Sequence, residues 1–405
     1  MKKILLIALV AVLAVGLLAC QTTEPAESSA EASSEAPAST EAAATEEASE
    51  SAAGEVITLD IGFYADGADS YYQAMNDTLQ ALADQDPECE WTINYKVGQN
   101  TAPEQLQAVE DFITSGYDVI VVIQNSVDAT SECITKCVDA GIPYFGAAHS
   151  FVTAPNASDA AGSCCYDFVQ EGYYTGAFAY EWGASKLVMI EGQLGQGSAS
   201  DQTLGYLQAY EDMGANMGGV TAEELAIEKQ TAGDKQDGTQ DITVVGWASG
   251  GWFADPAQKA MTDFITSLGA DGFDSVYAQN DPMMEGVLTA IEDAGLNPSD
   301  YCLTAGNGRE ISWQWVQDDV IKADVNQPAT MEGCVLYQQI KAWAKGEEYR
   351  KYLHPYLTPY DVNNIEETLP SLIPFTDVDN FIAGYNSGAF VTDINDPAFT
   401  DIAGY

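Results

Sequence analysis

The chain is short of cations. Its 405 residues hold 14 Lys and Arg together against 62 Asp and Glu, with only two histidines. The two arginines are Arg309 and Arg350; the histidines are His149 and His354. Arginine forks and lysines are the usual holders of phosphate and carboxylate groups, so their scarcity favours a neutral ligand. A net charge of −48 opposes nucleic acid and anionic lipid surfaces. Two histidines leave little material for a triad or a metal centre. A Gly-x-Ser-x-Gly elbow, a His-Glu-x-x-His pair and a Walker phosphate loop are all missing. Paired carboxylates would make a glycosidase only by facing each other in a cleft. The acidic run 234–241 does not fit an EF-hand loop, because aligning Asp237-Gly238 puts Gly233 and Lys235 at ligand positions. The chain therefore reads as a non-enzyme, with no catalytic residue, metal or cofactor expected.

Cysteine is present in an awkward number. Setting Cys20 aside leaves Cys89, Cys133, Cys137, Cys164, Cys165, Cys302 and Cys334, an odd count that leaves at least one unpaired within the chain. Cys133 and Cys137 share a helical face, but no histidine is near, so they read as buried small apolar residues.

The N-terminus is the strongest local signal. Lys2 and Lys3 precede an apolar run from Ile4 to Ala19, too short for a comfortable membrane span. Leu17-Leu18-Ala19-Cys20 resembles a bacterial lipobox. Residues 1–19 are expected to be a signal peptide and Cys20 the site of lipid attachment. Residues 20–55 are mostly Glu, Ala, Ser and Thr, with almost nothing to bury, so a disordered tether is expected. The chain is thus expected on the extracytoplasmic side of a cell membrane, at the surface or in the periplasm, anchored by lipid.

Two lysines and nine glutamates precede residue 56, so the body carries −41 of the charge. Its length exceeds the usual single core, and two lobes are expected. The body alternates strand and helix. Val56–Ile61 alternates in polarity, and Tyr72, Met75, Leu79 and Leu82 follow at helical spacing. Thr101 with Glu104 forms a capping-box pattern. Tyr117–Ile123 reads as an apolar run, as a strand covered on both faces requires. The rhythm continues to a helix ending near Ala344, including one opened by Asp281-Pro282, with Asp281 expected at its cap. Such alternation predicts α/β lobes with doubly wound parallel sheets.

Ligands of doubly wound sheets sit beyond the carboxyl ends of the strands. Those ends carry residues 64–69, Gln124-Asn125, His149, the loop 193–202, Trp252-Phe253, Asn280-Asp281, Asn307-Gly308-Arg309 and Gln327. Amides, carboxylates and aromatic rings dominate, and nucleophile–base pairs are scarce. Directed hydrogen bonds to hydroxyls, with aromatic faces against a ring, are the chemistry of holding sugars.

At this point the chain resembles the type I periplasmic sugar-binding proteins, the ribose-binding-like solute-binding components of ABC importers. The resemblance runs from about Val56 to Ile382. It rests on Ile61-Gly62-Phe63 with Tyr71-Tyr72, on Gln105 and Gly116–Ile120, and on Gly141-Ile142-Pro143. It continues through Val276–Asp281 with Gly286, Gly308, Val325–Pro328 and Asp361–Asn364. The resemblance implies the type I periplasmic binding protein fold, with a three-strand hinge crossing near Phe151, Gln327 and Asn364. Lobe 1 would comprise 56–150 and about 328–364; lobe 2 would comprise 151–327 and about 365–405. A small ligand would be trapped between the lobes as they close. First-lobe contacts would be Asp69, Tyr71 and Tyr72. The second lobe and hinge would add Trp252 or Phe253, Asn280, Asn307 and Gln327.

Departures from the family pattern extend the set. Ala148 and His149 stand where many members have Asp-Arg, Gln202 stands at a usual arginine, and Asn307 replaces a usual aspartate. His149, Gln202 and Arg309 are therefore candidates too, Arg309 being the sole arginine near the mouth. The implied ligand is a monosaccharide or polyol, or another small neutral molecule. The implied partner is an ABC permease, with the protein acting as a monomer. A surface sensor serving a membrane receptor would look the same. A repressor of this fold would need a DNA-binding helix pair where the signal and tether stand, and no nucleic acid is expected.

Overall fold

The structure, a computed structural model, describes residues 56–228 and 233–402. The expected signal peptide, Cys20 and the tether lie outside the described residues. Two sheets organise the body. The first holds β1 (Ile57–Ala65), β2 (Cys89–Val97), β3 (Val119–Ile123), β4 (Tyr144–Ala147) and β5 (Gly162–Cys164), all parallel. The second holds β6 (Lys186–Glu191), β7 (Thr243–Ser249), β8 (Ser275–Ala278), β9 (Cys302–Thr304) and β10 (Ala323–Asn326), also parallel. Three late strands complete them. β11 (Tyr352–His354) joins β5 in the first sheet, β12 (Thr358–Asp361) runs antiparallel to β10, and β13 (Thr400–Asp401) runs antiparallel to β11. The strand orders are β13-β11-β5-β4-β3-β1-β2 and β12-β10-β9-β8-β6-β7.

β3 shows why this architecture suits this sequence. All five residues are buried, and they alternate between two cores. Val119, Val121 and Ile123 join one apolar cluster, while Ile120 and Val122 join another on the opposite face. A central parallel strand covered on both faces has no polar side to show. Helix α1 (Ser70–Gln85) buries the expected Tyr72, Met75, Leu79 and Leu82 in the first of these cores. Truncating a fully buried Leu79 to alanine would cost about 2–5 kcal/mol. Helix α2 (Ala102–Ser115) starts at Thr101, whose hydroxyl bonds Glu104 at 3.2 Å rather than a backbone N–H. Helix α3 (Val127–Ala140) buries Cys133 and Cys137.

In the second lobe, α4 (Phe168–Trp182) and α5 (Gly197–Asp212) pack with their backbones almost touching. A Cβ on Gly172 would stand 2.1 Å from the Gln202 carbonyl oxygen, and one on Gly205 would stand 1.9 Å from that of Val169. Glycine is therefore required at this crossing. The same contact fixes the start of α5 at the mouth of the second sheet. A short α6 (Ala222–Glu228), α7 (Ala254–Leu268), α8 (Asp281–Asp293) and α9 (Glu310–Gln317) complete this lobe's main helices.

The chain passes between sheets at 165–167, 327–328 and 355–357. Helix α10 (Ala329–Lys345) lies on the first lobe, and α11 (Ile365–Thr368) lies on the second. A further passage near 373–377 then returns the chain to the first sheet, where α12 (Val378–Ser387) buries Phe381 and β13 pairs with β11. These positions correct the expected boundaries. The first lobe continues past Phe151 to Cys164, because β5 pairs with β4. Asn364 lies in the second lobe, beyond β12, and not at a crossing. Residues 378–402 belong to the first lobe because Phe381, Ile394 and Phe399 are buried in its core.

The seven described cysteines form no disulfide. No helix among the described residues is long and apolar enough to cross a membrane.

Candidate ligand-binding site between the lobes

The carboxyl ends of both sheets meet at a cavity enclosing about 540 Å³ of space, its open mouth included. Ten of the eleven residues expected from sequence line it: Asp69, Tyr71, Tyr72, His149, Gln202, Trp252, Asn280, Asn307, Arg309 and Gln327. Phe253 does not. It is 45% exposed at the start of α7 and borders a smaller adjoining hollow with Trp252, Asp69 and Asn100. Trp252 has φ +74°, and this turn sends the indole inward and its neighbour outward.

Strain gathers here. Among the described residues, five that are not glycine have positive φ, and Ala148, Trp252 and Asn307 line the cavity while Asn100 borders its hollow. Such conformations cost of order 1–3 kcal/mol each and persist where surrounding structure holds them. Asn307 is held by its neighbours: its carbonyl accepts the Gln327 N–H at 3.0 Å, and it bridges to Asn326 beside β10.

The first-lobe wall is a polar aromatic chain. The Tyr72 hydroxyl meets His149 Nε2 at 2.9 Å, and His149 Nδ1 meets the Ser198 hydroxyl of the second lobe at 2.9 Å. Burial pushes His149 down to about 3, so the ring is neutral and offers one donor and one acceptor. The Tyr71 hydroxyl donates to Glu332 on α10. Burial pushes that carboxyl up to about 8, opposed by the Tyr71 bond. Asp69 caps α1 by accepting the Tyr71 N–H at 2.8 Å. Burial raises Asp69, and the Tyr71 N–H and the Arg309 charge oppose that rise.

The second-lobe wall is mostly amide. Gln202 accepts the Tyr277 hydroxyl at 3.0 Å. Asn280, rather than Asp281, is the N-cap of α8; it accepts the Met283 N–H at 2.9 Å and donates to the Trp252 carbonyl at 3.2 Å. The cap falls one residue early because Asp281 is drawn inward. Its carboxylate accepts the Arg309 N–H at 2.7 Å and contacts Asp324. Burial and the Asp324 charge push Asp281 well above the carboxylate range, so the pair retains a proton. The Arg309 guanidinium is near Glu285, at 3.9 Å. Gln327 is 3% exposed, and its Oε1 has no hydrogen-bond partner among the described residues.

Sequence reasoning missed Ser70, Phe168, Pro282 and Phe375 in the lining, and reached Ser198 only as part of the loop 193–202. Phe168 and Ser198 stand at the starts of α4 and α5, positions that resemble ordinary helix openings. Phe375 comes from the last crossing and packs on Tyr71, ring centroids 5.2 Å apart. Its place in the site depends on a return of the chain that no local pattern announces.

A polar, aromatic cavity between two α/β lobes, reached by several crossings, defines a solute-binding protein of the hinged two-lobe class. The chain belongs to the periplasmic binding protein domain family, which it matches over residues 61–348. That family of binding proteins agrees with the non-enzyme reading. The chain is 23% identical over 247 residues to the galactofuranose-binding protein YtfQ of Escherichia coli (strain K12), covering 60% of this chain and 69% of that one. A solved galactofuranose-binding protein superposes with a TM-score of 0.65 at 21% identity, over 77% of this chain and 97% of the other. The fructose-binding periplasmic domain of a hybrid two-component system superposes with a TM-score of 0.65 at 17% identity, over 82% and 97%.

Proposed function

We propose that the protein is a lipid-anchored, extracytoplasmic binding protein that captures a small neutral carbohydrate, a monosaccharide or polyol, and delivers it by hinge closure to an ABC permease. The observation that carries this reading is the composition of the cavity. Ser198, Gln202, Asn280, Asn307 and Gln327 offer directed hydrogen bonds, and Tyr72, neutral His149, Phe168 and Trp252 offer ring faces. The one guanidinium, Arg309, has Asp69 and Glu285 near it, which weighs against an acidic ligand. Similarity to galactofuranose-binding proteins supports a sugar ligand. Closure around the ligand would follow the population-shift logic of two-lobed binders.

A thermal-shift screen of the protein against neutral sugars, polyols, nucleosides and sugar acids tests the ligand class. A ligand that binds the folded state alone raises the melting temperature. A shift with a neutral sugar or polyol is expected; a shift with acids alone would refute the neutral class. Scattering should show a smaller radius at saturation, and an unchanged radius would count against closure. Cys20→Ser should move the protein from the membrane to the soluble fraction. The likeness to a sensor domain favours one second reading, a surface sensor for a membrane receptor. Sugar uptake lost on deletion of the protein would support transport over sensing.

A further inference from the structure

Gln196 is the residue just before α5, and its side chain does not cap that helix. It is 2% exposed and its amide is spent elsewhere. Its Oε1 accepts the indole N–H of Trp252, in its own lobe, at 2.5 Å. Its Nε2 donates across the gap to the Gln124 carbonyl at 3.3 Å and to Asp66 Oδ2 at 3.4 Å, both in the first lobe. The orientation of the amide follows from chemistry: indole only donates, and a backbone carbonyl only accepts.

Trp252 lines the cavity, and three contacts hold its ring there. A Cβ on Gly192 would stand 2.1 Å from Cζ2, so the indole lies directly against that backbone. His149 of the first lobe stacks on it, centroids 6.2 Å apart and planes 16° from parallel. Gln196 holds the N–H. One planar amide therefore joins the wall of the sugar cavity to the far lobe. Opening the lobes would strip Nε2 of both its partners at once and release the group that fixes the indole.

We propose that Gln196 is a positioning residue that couples Trp252, as the cover of the cavity, to lobe closure, and so sets how long a bound ligand is held. This rests on the reading of the cavity as a sugar site. Hydrogen bonds made only in the closed state slow escape while leaving encounter with the open state unchanged.

The full chain and its Gln196→Ala, Gln196→Glu and Trp252→Phe variants can be mixed rapidly with D-galactose, L-arabinose and myo-inositol, following tryptophan emission. For whichever of these binds, Gln196→Ala should speed dissociation about tenfold, with association within about twofold of the parent. Trp252→Phe keeps a ring but removes the N–H, so its effect and that of Gln196→Ala should be less than additive. Dissociation at the parent rate, or strict additivity, would overturn the proposal. If none of the three binds the parent, the sugar reading loses its support and the latch is decided without ligand. Gln196→Glu, which sets a carboxylate beside Asp66, should then give a larger radius of gyration than the parent, and equal radii would overturn it.

Discussion

His149 and Trp252 approach from opposite lobes and lie nearly parallel, their ring centroids 6.2 Å apart. His149 also joins Tyr72 of its own lobe to Ser198 of the other. The neutral ring gives one hydroxyl a donor and the other an acceptor. Burial supplies that neutrality by pushing the group to about 3. An unfolded His149 takes a proton near its ordinary value of about 6.5, while the folded one resists. Its contribution to stability is thus intact above that value and is lost as pH falls towards 3. His149→Gln should flatten this part of the acid limb of a stability–pH curve and weaken sugar binding about tenfold, read by calorimetry.

Gln327 brings to the cavity wall a buried amide oxygen without a partner among the described residues. A hydroxyl-bearing ligand that donates to it would recover that hydrogen bond. Gln327→Leu should therefore weaken binding by about tenfold or more, because the ligand hydroxyl then faces an apolar group. Stability should change by less than about 1 kcal/mol or rise, since an unsatisfied polar atom is removed. Titration calorimetry with urea unfolding checks both halves.

Asn280 has two duties, lining the cavity and capping α8. Asn280→Ala should lower stability by about 1 kcal/mol as well as weakening binding. Asn280→Asp should restore the cap, since a carboxylate accepts the same Met283 N–H. Urea midpoints of the two variants distinguish the roles: equal midpoints would remove the capping claim.

Glu332 is buried beneath Tyr71, and its carboxyl is raised to about 8. Below about 4.5, its ordinary value, the folded and unfolded states both hold the proton and its contribution is fully present. Between 4.5 and 8 only the folded state does, so this stabilisation is lost as pH rises through that window. Glu332→Gln can still accept the Tyr71 hydroxyl but does not titrate. Its melting temperature should fall less between pH 5 and pH 8 than that of the parent, and equal slopes would refute the assignment.

Much of the site was legible because strand ends are legible. Val119–Ile123 and Val276–Ala278 are apolar runs that stop at polar residues, and in a doubly wound sheet such stops face the ligand. That logic placed His149, Asn280, Asn307 and Gln327 at the cavity. It failed at Phe253, where adjacent aromatic residues offered two choices and a left-handed turn at Trp252 selected one. It also failed at the cap of α8, where burial of Asp281 beside Asp324 moved the cap to Asn280.

Periodicity and strand-end chemistry were enough to establish two α/β lobes and to point to a hydrogen-bonding site at the strand ends, because these depend on local spacing and composition. The return of residues 378–402 to the first lobe, the entry of Phe375 into the cavity and the reach of Gln196 to Asp66 depend on folding. Each joins residues far apart in the chain, and contacts of that kind are set by which surfaces remain to be buried once the sheets have formed.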